Sequence, residues 1–323
     1  MPNSAPLRAL FWGTRSAFSG AVFHSLQRAN VHICALFIHT PPTPWQADTQ
    51  PRRAHEFHFP TYAHGANRTT APLQIALELA APAEPKATAK LHQISAPVYE
   101  IFSLRSPELT ALITHLQPDV ACVACFPQRI PLALLKLPKH GFFNVHPSLL
   151  PAHRGPAPLF WIFRSGAPET AGGVTIHRMD ADFDSGAIAA QAALELADGI
   201  SGPTAEQRCA QKGGELLVGV LDALAAGKLT TYAQAAGGSY QSWPQAQDFQ
   251  MDTSWSAQRA FNFMRGAAEW GIPFAVDAGG ARLHLQSAIA YDASQKLSVP
   301  VLSTGDSIVQ IQFAPGVLIA RRA

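Results

Sequence analysis

The chain has 323 residues, of which 47% are hydrophobic and 14% charged, so it is long enough to bury a sizeable core in two domains or one large one. A formal net charge of +2 neither requires nor excludes an anionic partner. No segment has the length and apolar character of a signal peptide or a membrane span, and four cysteines are too few for a disulfide framework. The sequence therefore predicts a globular, cytoplasmic protein.

The first forty residues predict a strand, a helix and a second strand. Leu7–Trp12 is apolar apart from Arg8, and residues 17–29 carry apolar side chains at helical spacing. Residues 31–39 form a second strand pattern with a continuous apolar run at residues 34–38. This order indicates a βαβ unit with a right-handed crossover. Gly13 follows the first strand, but the second and third glycines of a dinucleotide-binding fingerprint are missing. A tight turn into a helix is therefore the better interpretation.

The segment from Thr40 to Thr70 is rich in proline, histidine and polar residues, which predicts a long loop. A helix is predicted after it, with Ser106 as the N-cap and Pro107 in the first position. The following run, Asp119–Phe126, is typical of a central strand and contains Cys122 and Cys125. No second cysteine pair completes a zinc site, so these two are expected to be buried core residues.

The most informative stretch follows at Gly141–Val145, a short apolar strand that Pro147 prevents from continuing. Asn144 and His146 are two residues apart and should point to the same face. A carboxamide beside an imidazole is suited to polarising a carbonyl and handling a proton. Asp184 lies in a polar turn between two predicted strands, from which its carboxylate could reach the imidazole.

Taken together, several segments resemble the folate-dependent formyltransferases, and within that family most closely the enzymes that formylate methionyl-tRNA. The segments that carry this resemblance are Asn144–Pro151, His153–Pro158, Gly173–Ile176 and Asp184–Gly186. The resemblance implies an α/β fold with an open, mostly parallel, Rossmann-like sheet. It also implies a catalytic triplet of Asn144, His146 and Asp184, with 10-formyltetrahydrofolate as the formyl donor and no metal.

The resemblance also implies which residues contact the ligands. Those expected to bind the donor are Phe126, Pro127, Gln128, Arg129, Ile130, Ser148 and Asp180. His153 and Arg154 are expected to bind the acceptor, although Arg154 could instead hold the loop in which it lies. His177 falls in the middle of a predicted strand, so we interpret it as structural.

The rest of the chain predicts a second domain. Residues 204–226 read as a long helix with Thr204 as its cap, and the Gly213-Gly214 pair is expected to loosen its middle. We place a catalytic domain at residues 1–228, a linker at 229–247 and a domain at 248–323. Several short strands around glycine turns predict that this last domain is a small, OB-like β-barrel.

The acceptor is open between two classes, and a non-catalytic or hydrolytic relative is the third alternative. The domain layout favours initiator methionyl-tRNA, whereas the charge distribution favours a small-molecule amine such as an amino sugar. From Tyr240 to Ala323 there are six Lys or Arg residues and six Asp or Glu residues. A neutral domain is a poor surface for phosphates, because affinity for nucleic acid comes largely from Lys and Arg. The sequence does not fix the oligomeric state.

Overall fold

The computed structural model describes residues 6–39, 96–166, 172–305 and 307–323, together with the backbone of three two-residue strands between residues 52 and 93. Apart from one of those strands, the loop predicted from Thr40 to Thr70 lies outside the described residues. The described helices are α1 (Ala17–Arg28), α2 (Pro107–Leu116), α3 (Leu132–Leu135), α4 (Pro158–Ser165), α5 (Gly202–Ala225) and α6 (Ala257–Gly266). None of them is both long and apolar enough to cross a membrane.

The described strands fall into two large sheets and one small ladder. Those from the first two hundred residues are β1 (Arg8–Gly13), β2 (His32–His39), β3 (Arg52–Arg53), β4 (Gln74–Ile75), β5 (His92–Gln93), β6 (Val98–Ile101), β7 (Val120–Ala124), β8 (Phe142–His146), β9 (Gly173–Arg178) and β10 (Ile188–Ala193). Those that follow are β11 (Gln250–Met251), β12 (Phe274–Ala278), β13 (Ala281–Asp292), β14 (Val301–Thr304), β15 (Ile308–Gln312) and β16 (Val317–Arg322).

The chain folds into two compact units, each built from segments that are distant in the sequence. Unit 1 consists of Met1–His146, Val174–Gln191 and Cys209–Ala236. Unit 2 consists of Pro147–Gly173, Ala192–Arg208 and Gly237–Ala323. The domain limits inferred from the sequence, at 228 and 247, stay a prediction.

The first sheet has eight strands in the order β10-β9-β8-β7-β1-β2-β6-β3. The pairs β8–β7, β7–β1, β1–β2 and β2–β6 are parallel, whereas β9 is antiparallel to β8 and β3 is antiparallel to β6. The predicted open, mostly parallel sheet with helices is therefore confirmed. In such sheets, functional side chains gather beyond the C-terminal ends of the strands.

The central strands are hydrophobic along their whole length because both faces of a parallel sheet are covered. All five residues of β7 are buried, and Ala9 to Trp12 of β1 are fully buried. The predicted start of α2 is confirmed, since the Ser106 hydroxyl accepts a hydrogen bond from the Leu109 amide and Pro107 is the first helical residue.

One cysteine expectation is wrong. Cys122 is fully buried, and burial raises the pKa of its thiol to about 12. Cys125 is exposed, because β7 ends at Ala124 and Cys125 has a left-handed backbone with φ of 55°. The predicted strand ran two residues too far, and the chain turns away from the core at this point.

The expectations for α5 also need correction. The helix begins at Gly202, so Thr204 lies inside it and is not its cap. The Ser201 hydroxyl, just before the helix, accepts a hydrogen bond from the Thr204 amide. Gly213 and Gly214 do not interrupt the helix. A Cβ at Gly213 would overlap Cγ1 of Val145 in β8, and one at Gly214 would overlap the Ser25 side chain of α1. The two glycines therefore let the helix approach the sheet and α1 closely.

Unit 2 contains the second sheet, with six strands in the order β11-β12-β13-β16-β15-β14. Its β12, β13, β16, β15 and β14 strands pair antiparallel. Phe160 of α4 and Phe263 of α6 belong to the core beneath this sheet, together with Phe249 and Phe274. The predicted second, all-strand part of the fold is confirmed.

Candidate active site

The C-terminal end of β8 places Asn144 and His146 in unit 1 beside the antiparallel strand β9. Asn144 is the register partner of His177, and His146 is the partner of Thr175. His146 is buried, with only 4% of its surface exposed. The antiparallel pairing therefore adds the β9 side chains to the pair that the sequence predicts.

Asp184 is the residue that joins these side chains. Its Oδ1 lies 3.6 Å from Nδ1 of His146 and 3.5 Å from Nε2 of His177. Both distances are within ion-pair range but longer than a good hydrogen bond. The carboxylate is only 11% exposed, so its interaction with either ring is less screened by water than at the surface. The three residues of the predicted catalytic triplet thus lie together.

His177, which we interpreted from the sequence as structural, contacts two of those residues. Its Nε2 lies 3.1 Å from Nδ2 of Asn144, and its Nδ1 lies 3.0 Å from the carbonyl oxygen of Arg178. A carbonyl only accepts, so Nδ1 carries a proton. In the neutral ring the lone pair of Nε2 can accept a hydrogen bond from the Asn144 amide, and Nε2 then has no proton to donate to the Asp184 carboxylate 3.5 Å away. The sequence could not indicate this contact, because it depends on the β8–β9 register.

The turn that carries Asp184 is held by hydrogen bonds from inside and outside. Asp184 itself has a left-handed backbone with φ of 53°. The Asp180 carboxylate accepts from the Ser185 hydroxyl at 2.6 Å and from the Asp182 amide at 3.2 Å. Asp180, predicted to bind the donor, is thus engaged in shaping the turn.

Gln234 is a second residue that sequence reasoning missed. Its side-chain amide donates to the carbonyl oxygens of Asp184, at 2.7 Å, and of Gly186, at 2.9 Å. It lies in the segment that the sequence predicts to be a linker, about fifty residues from the turn. No local pattern in the sequence signals this contact.

The predicted donor-binding loop follows β7. Phe126 packs edge-on against Trp12 and His39. Nε2 of Gln128 lies 2.8 Å from Nε2 of His39, and burial lowers the pKa of His39 below its ordinary value. The neutral ring that burial favours accepts the hydrogen bond from Gln128. His39 therefore helps to position this loop.

A cavity of about 630 Å³ opens beside this loop in unit 1. Gln128, Arg129 and Ile130, three of the seven predicted donor-binding residues, line it. Residues 102–105 and Ala181 form other parts of its wall. Arg129 also pairs with Asp182 at 3.3 Å, which links the loop to the turn that carries Asp184. A cavity of this size suits a small-molecule ligand.

Pro127 lies in unit 1 and is not among the residues that line the cavity, and the other three predicted residues belong to unit 2. Ser148 is fully buried and its hydroxyl donates to the carbonyl oxygen of Ala152 at 2.7 Å. The amides of His153 and Arg154 donate to the hydroxyl and carbonyl oxygens of Ser239, both at 2.9 Å. These contacts fix the loop, so they are compatible with the structural alternative for Arg154. Ligand binding by these three residues stays a prediction.

Comparison with known proteins identifies the family. A family model described as formyl transferase matches residues 66–221. A methionyl-tRNA formyltransferase from Trichlorobacter lovleyi is 35% identical over 226 residues, which cover 69% of this chain and 70% of the relative. The chain belongs to the formyl transferase family. A methionyl-tRNA formyltransferase from Synechococcus sp. is 40% identical over 186 residues, and the matched region spans only 56% of that relative.

Solved structures within this fold show how far the likeness extends. The N-formyltransferase from Helicobacter canadensis, in complex with folinic acid and dTDP-3-aminofucose, superposes with a TM-score of 0.61, covering 98% of this chain and 99% of that one at 10% identity. HypX from Aquifex aeolicus in complex with tetrahydrofolic acid gives 0.55, covering 98% of this chain and 44% of that one at 14% identity. At these identities the likeness is one of fold alone.

Proposed function

We propose that this formyl transferase family member moves a formyl group from 10-formyltetrahydrofolate to a primary amine. The observation that carries the proposal is the position of the Asp184 carboxylate, within 3.6 Å of both His146 and His177. Asn144 contacts the ring of His177. Proton handling and stabilisation of negative charge on oxygen are the two requirements of acyl transfer to an amine.

Each side chain has a role in this proposal. The His146 imidazole takes or gives the proton of the attacking amine, and Asp184 favours the protonated ring and orients it. The Asn144 amide has two N–H groups. One is directed to His177, and the other is available to an oxygen that gains negative charge. His177 thereby orients Asn144.

The chain offers a fitting place for the donor. The cavity beside residues 126–130 has the volume of a small-molecule site, and buried Ile130 gives it an apolar wall beside polar Gln128 and Arg129. When bound, 10-formyltetrahydrofolate supplies an activated formyl group. Gln128, Arg129 and Ile130 would hold it, and Arg129 would stay close to the Asp184 turn through Asp182. That the reaction needs no metal stays a prediction.

For the acceptor we propose methionyl-tRNA, as in the relatives named above. An amino sugar or another small-molecule amine is the second candidate, because the charges of residues 240–323 balance and would attract phosphates weakly. A cytoplasmic location accords with either acceptor and stays a prediction.

A formylation assay with labelled 10-formyltetrahydrofolate tests the proposal. The enzyme is mixed with methionyl-tRNA in one arm and with a panel of free and nucleotide-linked amino sugars in another. We expect label on methionyl-tRNA, and a loss of about 10²-fold or more in kcat for His146→Ala. His284→Ala, which replaces an exposed histidine of unit 2, is the matched control and should retain full activity.

Label on an amino sugar alone would show that the acceptor is a small-molecule amine and not methionyl-tRNA. Label on neither acceptor, with the folded enzyme and a donor shown to be intact, contradicts the proposed function.

A further inference from the structure

Unit 2 contains a cavity of about 570 Å³ whose wall includes two arginines and a tryptophan. Arg164 lies at the end of α4, Arg259 lies in the first turn of α6, and Trp255 lies just before that helix. The Cζ atoms of Arg259 and Arg164 are 3.9 Å and 5.7 Å from the centroid of the Trp255 ring. Both guanidiniums are therefore held near one aromatic ring.

Backbone carbonyls use only part of the donor capacity of these arginines. Nε and Nη2 of Arg259 donate to the carbonyl oxygen of Arg164, and Nε of Arg164 donates to that of Asp248. Within the described ranges, neither Nη atom of Arg164 has a hydrogen-bond partner and neither arginine has an ion-pair partner. The free N–H groups belong to residues that line the cavity.

The two positive charges also disfavour each other. Burial first, and then the charge of Arg164, lower the pKa of Arg259, while Asp252 opposes that effect. The guanidinium is nonetheless charged at neutral pH, because the ordinary pKa of arginine is above 12. A pair of adjacent cations is relieved by an anion between or beside them.

Two carboxylates line the same cavity, but other groups already engage them. The Asp252 carboxylate accepts from the Ser254 amide at 2.8 Å. The Asp277 carboxylate pairs with Arg282 and accepts from Gln250, both at 3.1 Å. The amide does not neutralise Asp252, so this carboxylate offsets part of the charge of Arg259, whereas the charge of Asp277 is balanced by Arg282. With two arginines and one uncompensated carboxylate, the arginine end of the cavity keeps a net positive charge.

We propose that this cavity binds a phosphate group through the guanidiniums of Arg164 and Arg259. A guanidinium presents several N–H groups in a planar fork that matches phosphate oxygens. The amide or hydroxyl groups of Gln247, Gln250 and Thr253 provide further donors in the wall. The phosphate belongs either to a nucleic-acid backbone or to a small nucleotide, since the chemistry is the same. Phosphate binding requires no formyl transfer, so this inference holds or fails separately from the proposed function.

Phosphate binding is tested by calorimetry and thermal unfolding of the full chain, with inorganic phosphate compared with chloride at equal ionic strength. We expect saturable binding and a rise in Tm that chloride does not reproduce. Arg164→Gln should weaken phosphate binding by roughly tenfold or more, because it removes a charged donor. Arg265→Gln is the matched control, since Arg265 lies in the same helix as Arg259 and its Nε also donates to a backbone carbonyl, that of Gly199.

The Arg164→Lys variant distinguishes the effect of losing the positive charge from the effect of losing the hydrogen bond to Asp248. Lysine also lacks the Nε bond to Asp248 but keeps the positive charge, so it should bind phosphate more tightly than the glutamine variant does. A phosphate effect equal to that of chloride, or equal affinity in wild type and Arg164→Gln, overturns the proposal.

Two competitors then identify the source of the phosphate. Displacement of bound phosphate by a short single-stranded RNA alone assigns the site to a nucleic-acid backbone, and displacement by a nucleoside diphosphate alone assigns it to a small nucleotide. Displacement by neither overturns the assignment as a ligand site.

Discussion

Asp184 presents one carboxylate oxygen to two imidazole rings, so the geometry of its turn decides how both rings are used. The turn has two kinds of support, the internal hydrogen bonds of Asp180 and the external amide of Gln234. The internal bonds join residues that are close in the sequence, although Asp180 was predicted to bind the donor. The external bonds come from a residue about fifty positions away, and they bear directly on the backbone of Asp184.

Gln234→Ala removes both external hydrogen bonds and should lower kcat while the protein remains folded. Two bonds worth about 1 kcal/mol each give at most a loss of about thirtyfold, if the whole of their energy holds the turn in place. Steady-state kinetics with the acceptor that the formylation assay identifies measures the effect. Gln207→Ala, on α5, is the control and should leave kcat unchanged. Equal kcat in Gln234→Ala and wild type would show that the internal hydrogen bonds of the turn are enough to position Asp184.

His39 should make donor binding depend on pH. Its lowered pKa means that the folded protein favours the neutral ring. The hydrogen bond from Gln128 to this ring is therefore fully present above the ordinary pKa of histidine and is lost as the pH falls through the lowered value. Protonation removes the acceptor for Gln128 and loosens the loop. Tetrahydrofolate affinity, measured without turnover between pH 5 and 8, should therefore fall on acidification.

His39→Gln is the matched variant for this measurement. A glutamine carbonyl can accept from Gln128 at every pH, so the acid-dependent loss of affinity should disappear while the affinity at neutral pH is kept. An identical pH profile in both proteins would exclude His39 as the origin.

At the scale of elements, the best-predicted parts are those specified by neighbouring residues. The β1–α1–β2 unit follows from local apolar patterns, and the start of α2 follows from Ser106 and Pro107. The catalytic role of Asn144, His146 and Asp184 stays a prediction, but their proximity was predictable from the motif and the turn together with the family resemblance. His177 was not, since its role depends on a strand register that no single segment encodes.

The glycines of α5 show the same limit. The sequence suggested a loosened helix, because glycine is unfavourable in helices. The structure shows two glycines that admit the side chains of Val145 and Ser25. A residue pair that looks like a local defect is therefore a packing requirement imposed by β8 and α1, which lie far away in the sequence.

Gly213→Ala should lower the free energy of unfolding and disturb β8 next to His146. The new Cβ would overlap Val145, and overpacking costs about 1–3 kcal/mol, which exceeds the gain in helix propensity of at most about 1 kcal/mol. Gly219→Ala, in the same helix, is the matched control because its Cβ would meet no atom within 4 Å. Urea denaturation should show destabilisation in the first variant and slight stabilisation in the second.

A stabilised Gly213→Ala protein would contradict the close approach of α5 to the sheet. The kinetics of the same variant would then also be expected to match wild type, because β8 would not have been displaced.

At the scale of the whole molecule, the charge balance limits how a large anionic acceptor could be recognised. The net charge is +2, and the segment from Tyr240 to Ala323 has equal numbers of basic and acidic residues. The relatives named above are called methionyl-tRNA formyltransferases. A polyanion would have to be bound here by a few well-placed cations rather than by a broad positive surface.

If methionyl-tRNA is the acceptor, its affinity should therefore respond weakly to salt. Each neutralised phosphate contributes a slope of about −0.7 to −0.9 in a double-logarithmic plot of affinity against salt, so a few contacts predict a slope of about −3 or shallower. Binding measured from low to physiological salt tests this. A much steeper slope would show that many more cations contact the acceptor than the charge balance suggests.

The left-handed backbone of Asp184 makes it possible to remove the charge of its side chain without changing the conformation of the turn. Asparagine is one of the few residues besides glycine that readily adopts this conformation. Exchanging Asp184 for asparagine thus neutralises the carboxylate without straining the main chain, whereas alanine would change both at once. The position lends itself to a nearly isosteric experiment on what a single negative charge does between two histidines.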